Sequence, residues 1–83
     1  MKVVKITALW CSSCLVMNNV WSNLLKEKAI ETISLDYDMD DISMYNVGEV
    51  LPVFIFYKDD KEIKRLVGEH SLSELKAVVE ELS

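Results

Sequence analysis

The sequence predicts one α/β domain, in which four strands form a mixed sheet flanked by three helices in the order βαβαββα. Three observations predict this class. A chain of 83 residues has room for a single domain, predicted over residues 1–83. Hydrophobic residues form short runs, and runs rich in β-branched residues alternate with segments of helical periodicity. A helix between the first two strands favours their parallel pairing, and a later hairpin adds antiparallel strands.

The first strand and the first helix lie in the N-terminal third of the chain. Residues Val3 to Leu9 predict a strand buried on both faces, although Lys5 interrupts it. The helix is predicted from Ser12 to Lys28, because apolar residues recur there at helical spacing. Its buried stripe consists of Cys14, Met17, Trp21, Leu24 and Lys28, widened by Val20 and Leu25. Its polar face consists of Asn18, Asn19, Ser22, Asn23, Lys26 and Glu27.

A second strand and an acidic segment follow. Alternation of apolar and polar residues predicts a strand from Ile30 to Tyr37. The acidic segment after it lacks the glycine and the terminal glutamate of an EF-hand calcium loop. We therefore interpret its carboxylates as helix caps: Asp38 or Asp40 is predicted to cap a short helix from about Asp40 to Asn46.

The C-terminal half predicts a hairpin and a final helix. The chain turns at Gly48, and the only proline, Pro52, stands directly before the strand of residues 53–57. Residues 58–61 form the predicted turn, and residues 62–67 return antiparallel. Ser71 and Glu74 have the spacing of a capping box, so a helix begins there. Its apolar face consists of Leu72, Leu75, Val78, Val79 and Leu82.

Composition excludes several classes of function. The net charge of −5 argues against binding to nucleic acid or an anionic membrane, since both require a basic surface. The apolar runs are too short to span a bilayer. The first residues show no signal-peptide pattern, so the expected location is the cytoplasm, where paired cysteines tend to be catalytic or metal-binding.

The candidate chemistry lies in the stretch Trp10-Cys11-Ser12-Ser13-Cys14, which holds both cysteines of the chain. Two residues separated by one helical turn have Cβ atoms about 5–6 Å apart, from which a small adjustment permits a disulfide. A cysteine at the N-cap faces unpaired backbone amides and the positive end of the helix dipole, which favour its thiolate. The sequence therefore predicts that Cys11 is the nucleophile and Cys14 the resolving thiol. Because Cys14 shares the apolar stripe of the helix, it is expected to be partly buried, while Cys11 is expected to stay near the surface.

Three interpretations of this pair are open. Thiol-disulfide exchange is favoured, because a Cys-x-x-Cys motif ends a strand and begins a helix. A zinc site would need four ligands, whereas the only histidine, His70, lies far along the chain and is expected at the surface or an interface. The third interpretation is a pair of inert thiols or a structural disulfide, which would close too short a loop to stabilise the fold much.

The chain resembles the thioredoxin superfamily over nearly its whole length. The resemblance depends on Trp10-Cys11-x-x-Cys14, on a lone proline before a strand, and on Val67-Gly68 followed by Ser71, Leu75 and Lys76. It implies the thioredoxin fold in its short, glutaredoxin-sized form. The Thr-Val-Pro and paired glycines with which glutaredoxins hold glutathione are absent, since this chain has Val50-Leu51-Pro52.

The resemblance also implies roles for individual residues. The Leu51-Pro52 bond is expected to be cis and to lie against the cysteine pair, and the backbone of Leu51 is expected to bind a substrate chain by strand addition. Trp10 is expected either to contribute to the contact surface or to fold back over the helix. Cys11 and Cys14 are expected to be catalytic, without a metal or other cofactor.

Two positions depart from the family pattern. Ser12-Ser13 replaces the usual Gly-Pro between the cysteines, which leaves the redox potential open. Lys5 stands where thioredoxins have a buried aspartate, six residues before the first cysteine. Burial would lower the pKa of Lys5, and its ammonium would favour the Cys14 thiolate, or its neutral amine would act as a base. Alternatively, the side chain reaches solvent and has no role.

The function expected from these observations is protein thiol-disulfide exchange by a cytoplasmic monomer that contributes to electron transport and cell redox homeostasis. Its expected partners are proteins that contain disulfides and a flavoprotein resembling thioredoxin reductase. Two alternatives are a glutaredoxin-like redoxin and a non-catalytic binding module with the same fold. A metal shared between two chains is a further alternative.

Overall fold

The computed structural model describes residues 1–82, which form four strands, two α-helices and one 3-10 turn. In chain order these elements are β1 (Lys2–Thr7), α1 (Ser12–Glu27), β2 (Glu31–Asp36), the 3-10 turn (Ser43–Tyr45), β3 (Val53–Lys58), β4 (Lys61–Val67) and α2 (Leu72–Leu82). Among the described residues, no helix is both long and apolar enough to cross a membrane.

The four strands form a single mixed sheet in the order β2-β1-β3-β4. Strand β1 pairs in parallel with β2, and the remaining pairs are antiparallel. At the centre, Val4 lies opposite Ile33 of β2 and Ile55 of β3. The predicted mixed sheet is therefore confirmed, and the buried strand residues lie in the central strands β1 and β3.

The two faces of the sheet are covered differently. Helices α1 and α2 pack on one face, where Trp21 contacts Phe54 with ring centroids 5.1 Å apart. The buried residues of that face are Val3, Met17, Trp21, Leu24, Phe54, Phe56, Leu75 and Val79. The opposite face is covered by side chains of the segment after β2, chiefly Tyr37, Ile42, Tyr45 and Val47. Because that segment supplies apolar side chains, the second face needs no helix.

The predicted helix from Asp40 to Asn46 is wrong, so two α-helices flank the sheet instead of three. The carboxylates expected to cap it bind elsewhere. Asp38 accepts a hydrogen bond from the Trp10 Nε1–H at 2.6 Å, and Asp40 accepts from the backbone N–H of Asp36 at 2.7 Å. The neighbouring Asp41 accepts from the backbone N–H of Ser43 at 3.0 Å. Asn46, with φ of 52°, then ends the single turn in the left-handed region. Short acidic side chains stabilise local turns in this way, at the expense of a longer helix.

The hairpin turn and the start of α2 agree with the sequence predictions, and β1 differs only in where it ends. Asp59 and Asp60 both have positive φ, 53° and 63°, as a two-residue hairpin turn of type I′ requires. The predicted capping box is confirmed, because Glu74 N–H donates to Ser71 Oγ and the Ser71 N–H donates to the Glu74 carboxylate. Strand β1 ends two residues earlier than predicted, since Ala8 already accepts a turn hydrogen bond from the Cys11 N–H.

Candidate active site

Cys11 is the N-cap residue of α1, as predicted. Its backbone is extended, with φ of −94° and ψ of 109°, and its Sγ accepts a hydrogen bond from the Cys14 N–H at 3.2 Å. Helix N-termini leave such amides without backbone partners, and here a sulfur atom satisfies one of them. Both cysteines are free thiols. The Cys11 sulfur therefore has one backbone hydrogen-bond donor at the helix start.

The two thiols differ in environment less than the sequence predicts. Cys11 is 8% exposed, so it is largely buried and not at the surface, while Cys14 is 1% exposed. Both belong to the same apolar cluster, together with Ala8 and Leu51. Burial raises the pKa of the Cys14 thiol to about 11, and a hydrogen bond with Cys11 adds to this effect. Cys14 is therefore protonated at neutral pH in the dithiol.

The segment before β3 lies against the cysteine pair. The Leu51-Pro52 peptide bond is cis, as the resemblance implies. The side chain of Leu51 packs with Cys11 and Cys14, whereas Val50 is exposed. The carbonyl of Pro52 accepts a hydrogen bond from the Gly68 N–H at 2.9 Å. This bond holds the end of β4 beside the start of β3, at the end of the sheet where the thiols lie.

Trp10 is exposed and held by the segment after β2. Its side chain is 63% exposed, and its Nε1–H donates to the Asp38 carboxylate at 2.6 Å. The Tyr37 ring meets it edge to face, with centroids 6.1 Å apart. The indole is thus oriented by polar and aromatic contacts next to Cys11.

Lys5 lies on the helix-covered face of the sheet. In the strand register it is opposite Ser34 of β2 and Phe54 of β3, and Phe54 packs against Trp21 of α1. Its side chain is half-buried, and within residues 1–82 it forms no ion pair with a carboxylate. Burial lowers the pKa of the Lys5 amine, and the nearby Cys14 sulfur partly opposes this shift. Conversely, the Lys5 charge lowers the pKa of Cys14.

Asn18 is a residue of this region that the sequence interpretation missed. The sequence pattern predicts that it lies on the polar face of α1, yet its Oδ1 is buried without a hydrogen-bond partner among the described residues. Asn18 lies one turn after Cys14 and three residues before Trp21, whose Nε1–H donates to Thr32 of β2 at 3.0 Å. Its side of the helix therefore faces β2, on the sheet face that also holds Lys5. Its spacing of four residues from the buried Cys14 is the feature of the sequence that could have indicated this burial.

His70 is part of the cap of α2. Its Nδ1 lies 3.1 Å from the Glu74 carboxylate, and its Nε2 lies 3.2 Å from the Val67 carbonyl oxygen. Over residues 1–82, no group of three or more His, Cys, Asp and Glu side chains is arranged to hold a metal ion. His70 is thus engaged in helix capping and is separate from the cysteine pair.

Comparison with known proteins agrees with this geometry. The family model described as thioredoxin matches residues 1–81. The chain is 35% identical over 69 residues to thioredoxin H-type 1 of Nicotiana tabacum, covering 80% of this chain and 54% of that protein. It is 38% identical over 68 residues to a thioredoxin H-type of Picea mariana, covering 78% and 54% respectively. The chain spans about half the length of these relatives.

Solved structures show the same fold. The oxidized thioredoxin O2 of Arabidopsis thaliana superimposes with a TM-score of 0.84 at 28% identity, covering 98% of this chain and 73% of the other. Fasciola hepatica thioredoxin gives a TM-score of 0.82, also at 28% identity, with 94% and 77% covered. With a family model matching nearly every residue and a paired-cysteine helix start beside a cis-proline, this chain belongs to the thioredoxin family.

Proposed function

We propose that this chain is a protein thiol-disulfide oxidoreductase, with Cys11 as the nucleophile and Cys14 as the resolving thiol. The observation that supports it most directly is the hydrogen bond from the Cys14 N–H to the Cys11 Sγ at the start of α1. This donor and the helix dipole favour thiolate on one sulfur, while the second sulfur lies one turn further along. The pair is therefore asymmetric, as a nucleophile and a resolving group must be.

The reaction has two exchange steps. The Cys11 thiolate attacks one sulfur of a substrate disulfide, forming a mixed disulfide and releasing the other substrate sulfur as a thiolate that takes up a proton. The deprotonated Cys14 then attacks the Cys11 sulfur, breaking the mixed disulfide and releasing the second substrate sulfur. Two electrons pass from the protein to the substrate, and the product is the Cys11–Cys14 disulfide.

Substrate is proposed to bind across Trp10, Leu51 and Pro52. The side chain of Leu51 is buried against the cysteines, so its backbone is the part available for main-chain pairing with an extended substrate segment. Trp10 contributes an exposed aromatic surface, oriented by Asp38. This arrangement would place a substrate disulfide next to the Cys11 sulfur.

Lys5 is proposed as a positioning residue that modulates Cys14. It is half-buried on the sheet face beneath α1, and its ammonium lowers the pKa of Cys14 against the effect of burial. Loss of that charge would leave less Cys14 thiolate at neutral pH and would slow the second step. Replacing Lys5 by Met tests this: an unchanged second step across the pH range would remove Lys5 from the mechanism.

The proposed biological setting follows from the same chemistry. A disulfide reductant must be reduced again, and a flavoprotein resembling thioredoxin reductase is proposed as the electron donor. The working form is proposed to be a cytoplasmic monomer without a bound cofactor. Reduction of the oxidised protein by such a flavoprotein and NADPH, with size-exclusion chromatography of both redox forms, tests these partners.

Single substitutions of the two cysteines test the proposed function. With a disulfide peptide and dithiothreitol as the electron source, the unmodified protein should accelerate reduction. After removal of dithiothreitol, the reduced Cys14→Ser variant should accumulate a mixed disulfide with the peptide, visible by mass spectrometry, whereas Cys11→Ser should form none. Turnover by the Cys11→Ser variant equal to that of the unmodified protein would overturn the proposal.

One finding favours a second candidate, a binding module without redox chemistry. The chain is 26% identical over 86 residues, covering all of its length, to a dynein 14 kDa light chain of the flagellar outer arm of Chlamydomonas reinhardtii. If this chain is such a module, the Cys11→Ser substitution should leave the affinity for its partner unchanged. The peptide reduction assay therefore separates the two candidates.

A further inference from the structure

The charged side chains are distributed unevenly between the two ends of the sheet. The end that contains Cys11 also contains the segments after β2, before Pro52 and after β4. The carboxylates of this end are Asp36, Asp38, Asp40, Asp41, Glu49, Glu69 and Glu74. Its cationic groups are few: Lys5 is half-buried beneath α1, His70 is bound to Glu74, and Arg65 of β4 is paired with Glu62 and donates to the Asn46 carbonyl. This end is strongly acidic.

The opposite end has nearly balanced charge. Lysines there are interspersed with carboxylates, and two of them form ion pairs: Lys76 with Glu27 at 2.7 Å and Lys28 with Glu80 at 3.8 Å. The lysines of that end are Lys2, Lys26, Lys28, Lys58, Lys61 and Lys76. The net charge of −5 therefore arises mainly from the end that contains the thiols.

Glu49 and Glu69 lie beside the proposed substrate surface, Glu49 through its place in the chain and Glu69 through a contact between two segments. Glu49 precedes Val50, and Glu69 follows Gly68, whose N–H donates to the Pro52 carbonyl. Val50 Cγ1 lies 3.9 Å from the point where a Cβ on Gly68 would sit, so the two segments are adjacent. Both glutamates are exposed, and neither has a hydrogen-bond or ion-pair partner within residues 1–82. Their charges are thus available to a partner.

We infer that this protein acts preferentially on disulfides in positively charged polypeptide segments, whose Lys and Arg side chains face Glu49 and Glu69 while the disulfide lies between Trp10 and Val50. The inference rests on the proposed oxidoreductase function and specifies its substrate class. The side chains of Trp10, Val50 and Val67 are exposed at this end of the sheet, where carboxylates outnumber cationic groups and the arginine, Arg65, is already paired with Glu62. Charge complementarity of this kind accelerates encounter with cationic partners and repels anionic ones.

The test compares two peptides with the same disulfide and the same length, one flanked by Arg and the other by Glu. Flanking charge also alters the intrinsic reactivity of a disulfide, so each rate is divided by the rate of reduction by dithiothreitol alone. At low salt the corrected rate for the cationic peptide should exceed that for the anionic peptide by about tenfold. The ratio should fall towards one at about 0.5 M salt, where screening shortens the range of the charges.

Replacing single glutamates by lysine tests which carboxylates cause the preference for the cationic peptide. Glu49→Lys and Glu69→Lys should each lower the ratio several-fold. Glu81→Lys is the matched control, because it changes the net charge equally but lies in the last turn of α2, at the opposite end of the sheet. Equal corrected rates for the two peptides would overturn the inference, and so would a loss of preference in Glu81→Lys as large as in Glu69→Lys.

A peptide with neutral flanks separates failure of this inference from failure of the proposed function. If the neutral peptide is reduced and the charged peptides show no preference, the oxidoreductase function stands and the substrate class is wrong. If no peptide is reduced, the function itself fails, and the inference fails with it.

Discussion

The Sγ of Cys11 accepts a hydrogen bond from the backbone N–H of Cys14, yet the Cys14 thiol itself lies among apolar side chains. The same helix start therefore gives its two sulfurs different surroundings. The first accepts a backbone hydrogen bond, and burial raises the pKa of the second to about 11. The two steps of disulfide exchange should consequently respond differently to pH.

The second step should accelerate steeply with pH. Burial, the largest cause of the raised pKa of Cys14, persists in the mixed disulfide, so the Cys14 thiolate fraction there should rise by up to about tenfold per pH unit between about pH 7 and pH 9. The step in which Cys14 displaces the leaving thiol should rise by a similar factor. Stopped-flow absorbance can measure it as the second thionitrobenzoate released after reaction with Ellman's reagent. A second phase independent of pH over this range would contradict the prediction, and Cys14→Ser should lack the phase.

Asp38→Ala should release the Trp10 indole from its present orientation. The Nε1–H of Trp10 would lose its acceptor at 2.6 Å, so its NMR resonance should move towards the position of a solvent-exposed indole and exchange faster with water. The Trp21 indole, bonded to Thr32, is an internal control and should not move. Because Trp10 is exposed, KM for a disulfide peptide should rise only a few-fold, with folding unaffected. An unchanged Trp10 resonance would show that the bond is not formed in solution.

The parts of this structure that sequence predicts well are those specified by local patterns. The N-cap position of Cys11 and the capping box of Ser71 and Glu74 each depend on residues only three apart. Alternating and buried runs specify the strands, and the lone proline marks the segment that meets the thiols. Such features need no knowledge of which distant residues come together.

The predictions that failed depend on competition or on distant contacts. The acidic segment has the composition of a capped helix, but its carboxylates bind the nearer amides of Asp36 and Ser43. Cys11 is more buried than a helix-start residue suggests, because Leu51 from a distant segment packs against it. Asn18 is polar and lies beside the buried stripe, so periodicity alone places it in solvent although its Oδ1 is buried. The first failure reflects competition among local hydrogen bonds, and the other two reflect burial that only the three-dimensional fold determines.

Ser71→Ala should destabilise the protein through loss of its helix cap. The Glu74 N–H donates to Ser71 Oγ at 3.2 Å, and removal of such a cap costs about 1 kcal/mol of unfolding free energy. In a domain of this size, that corresponds to a decrease in Tm of about 4–8 °C. Ser73→Ala is the matched control, because Ser73 is exposed inside α2 and alanine favours a helix there. Equal Tm values for the two variants would refute the role of the cap.

Lys5→Met should stabilise the protein at neutral pH, and the gain should shrink at high pH. Burial holds the pKa of Lys5 below its ordinary value of 10.5, so the folded state binds this proton less tightly than the unfolded chain does. At pH values below the pKa of Lys5 in the folded protein, the folded state bears the full cost of burying a charged amine. As pH rises through the folded pKa towards 10.5, the folded protein releases its proton first, and the penalty disappears. Methionine has a similar length and carries no such penalty.

Urea unfolding at about pH 7 and about pH 10 measures this difference, with Lys61→Met as the control. Lys61 is exposed at the start of β4, so its replacement should change the unfolding free energy little and equally at both pH values. The raised pKa of Cys14 makes the folded protein lose stability as pH rises above about 9, but both proteins contain Cys14. That loss therefore largely cancels in the comparison of Lys5→Met with the unmodified protein. A gain in stability that does not depend on pH would mean that Lys5 is hydrated in the folded state, and a loss at neutral pH would mean that its ammonium has a stabilising partner.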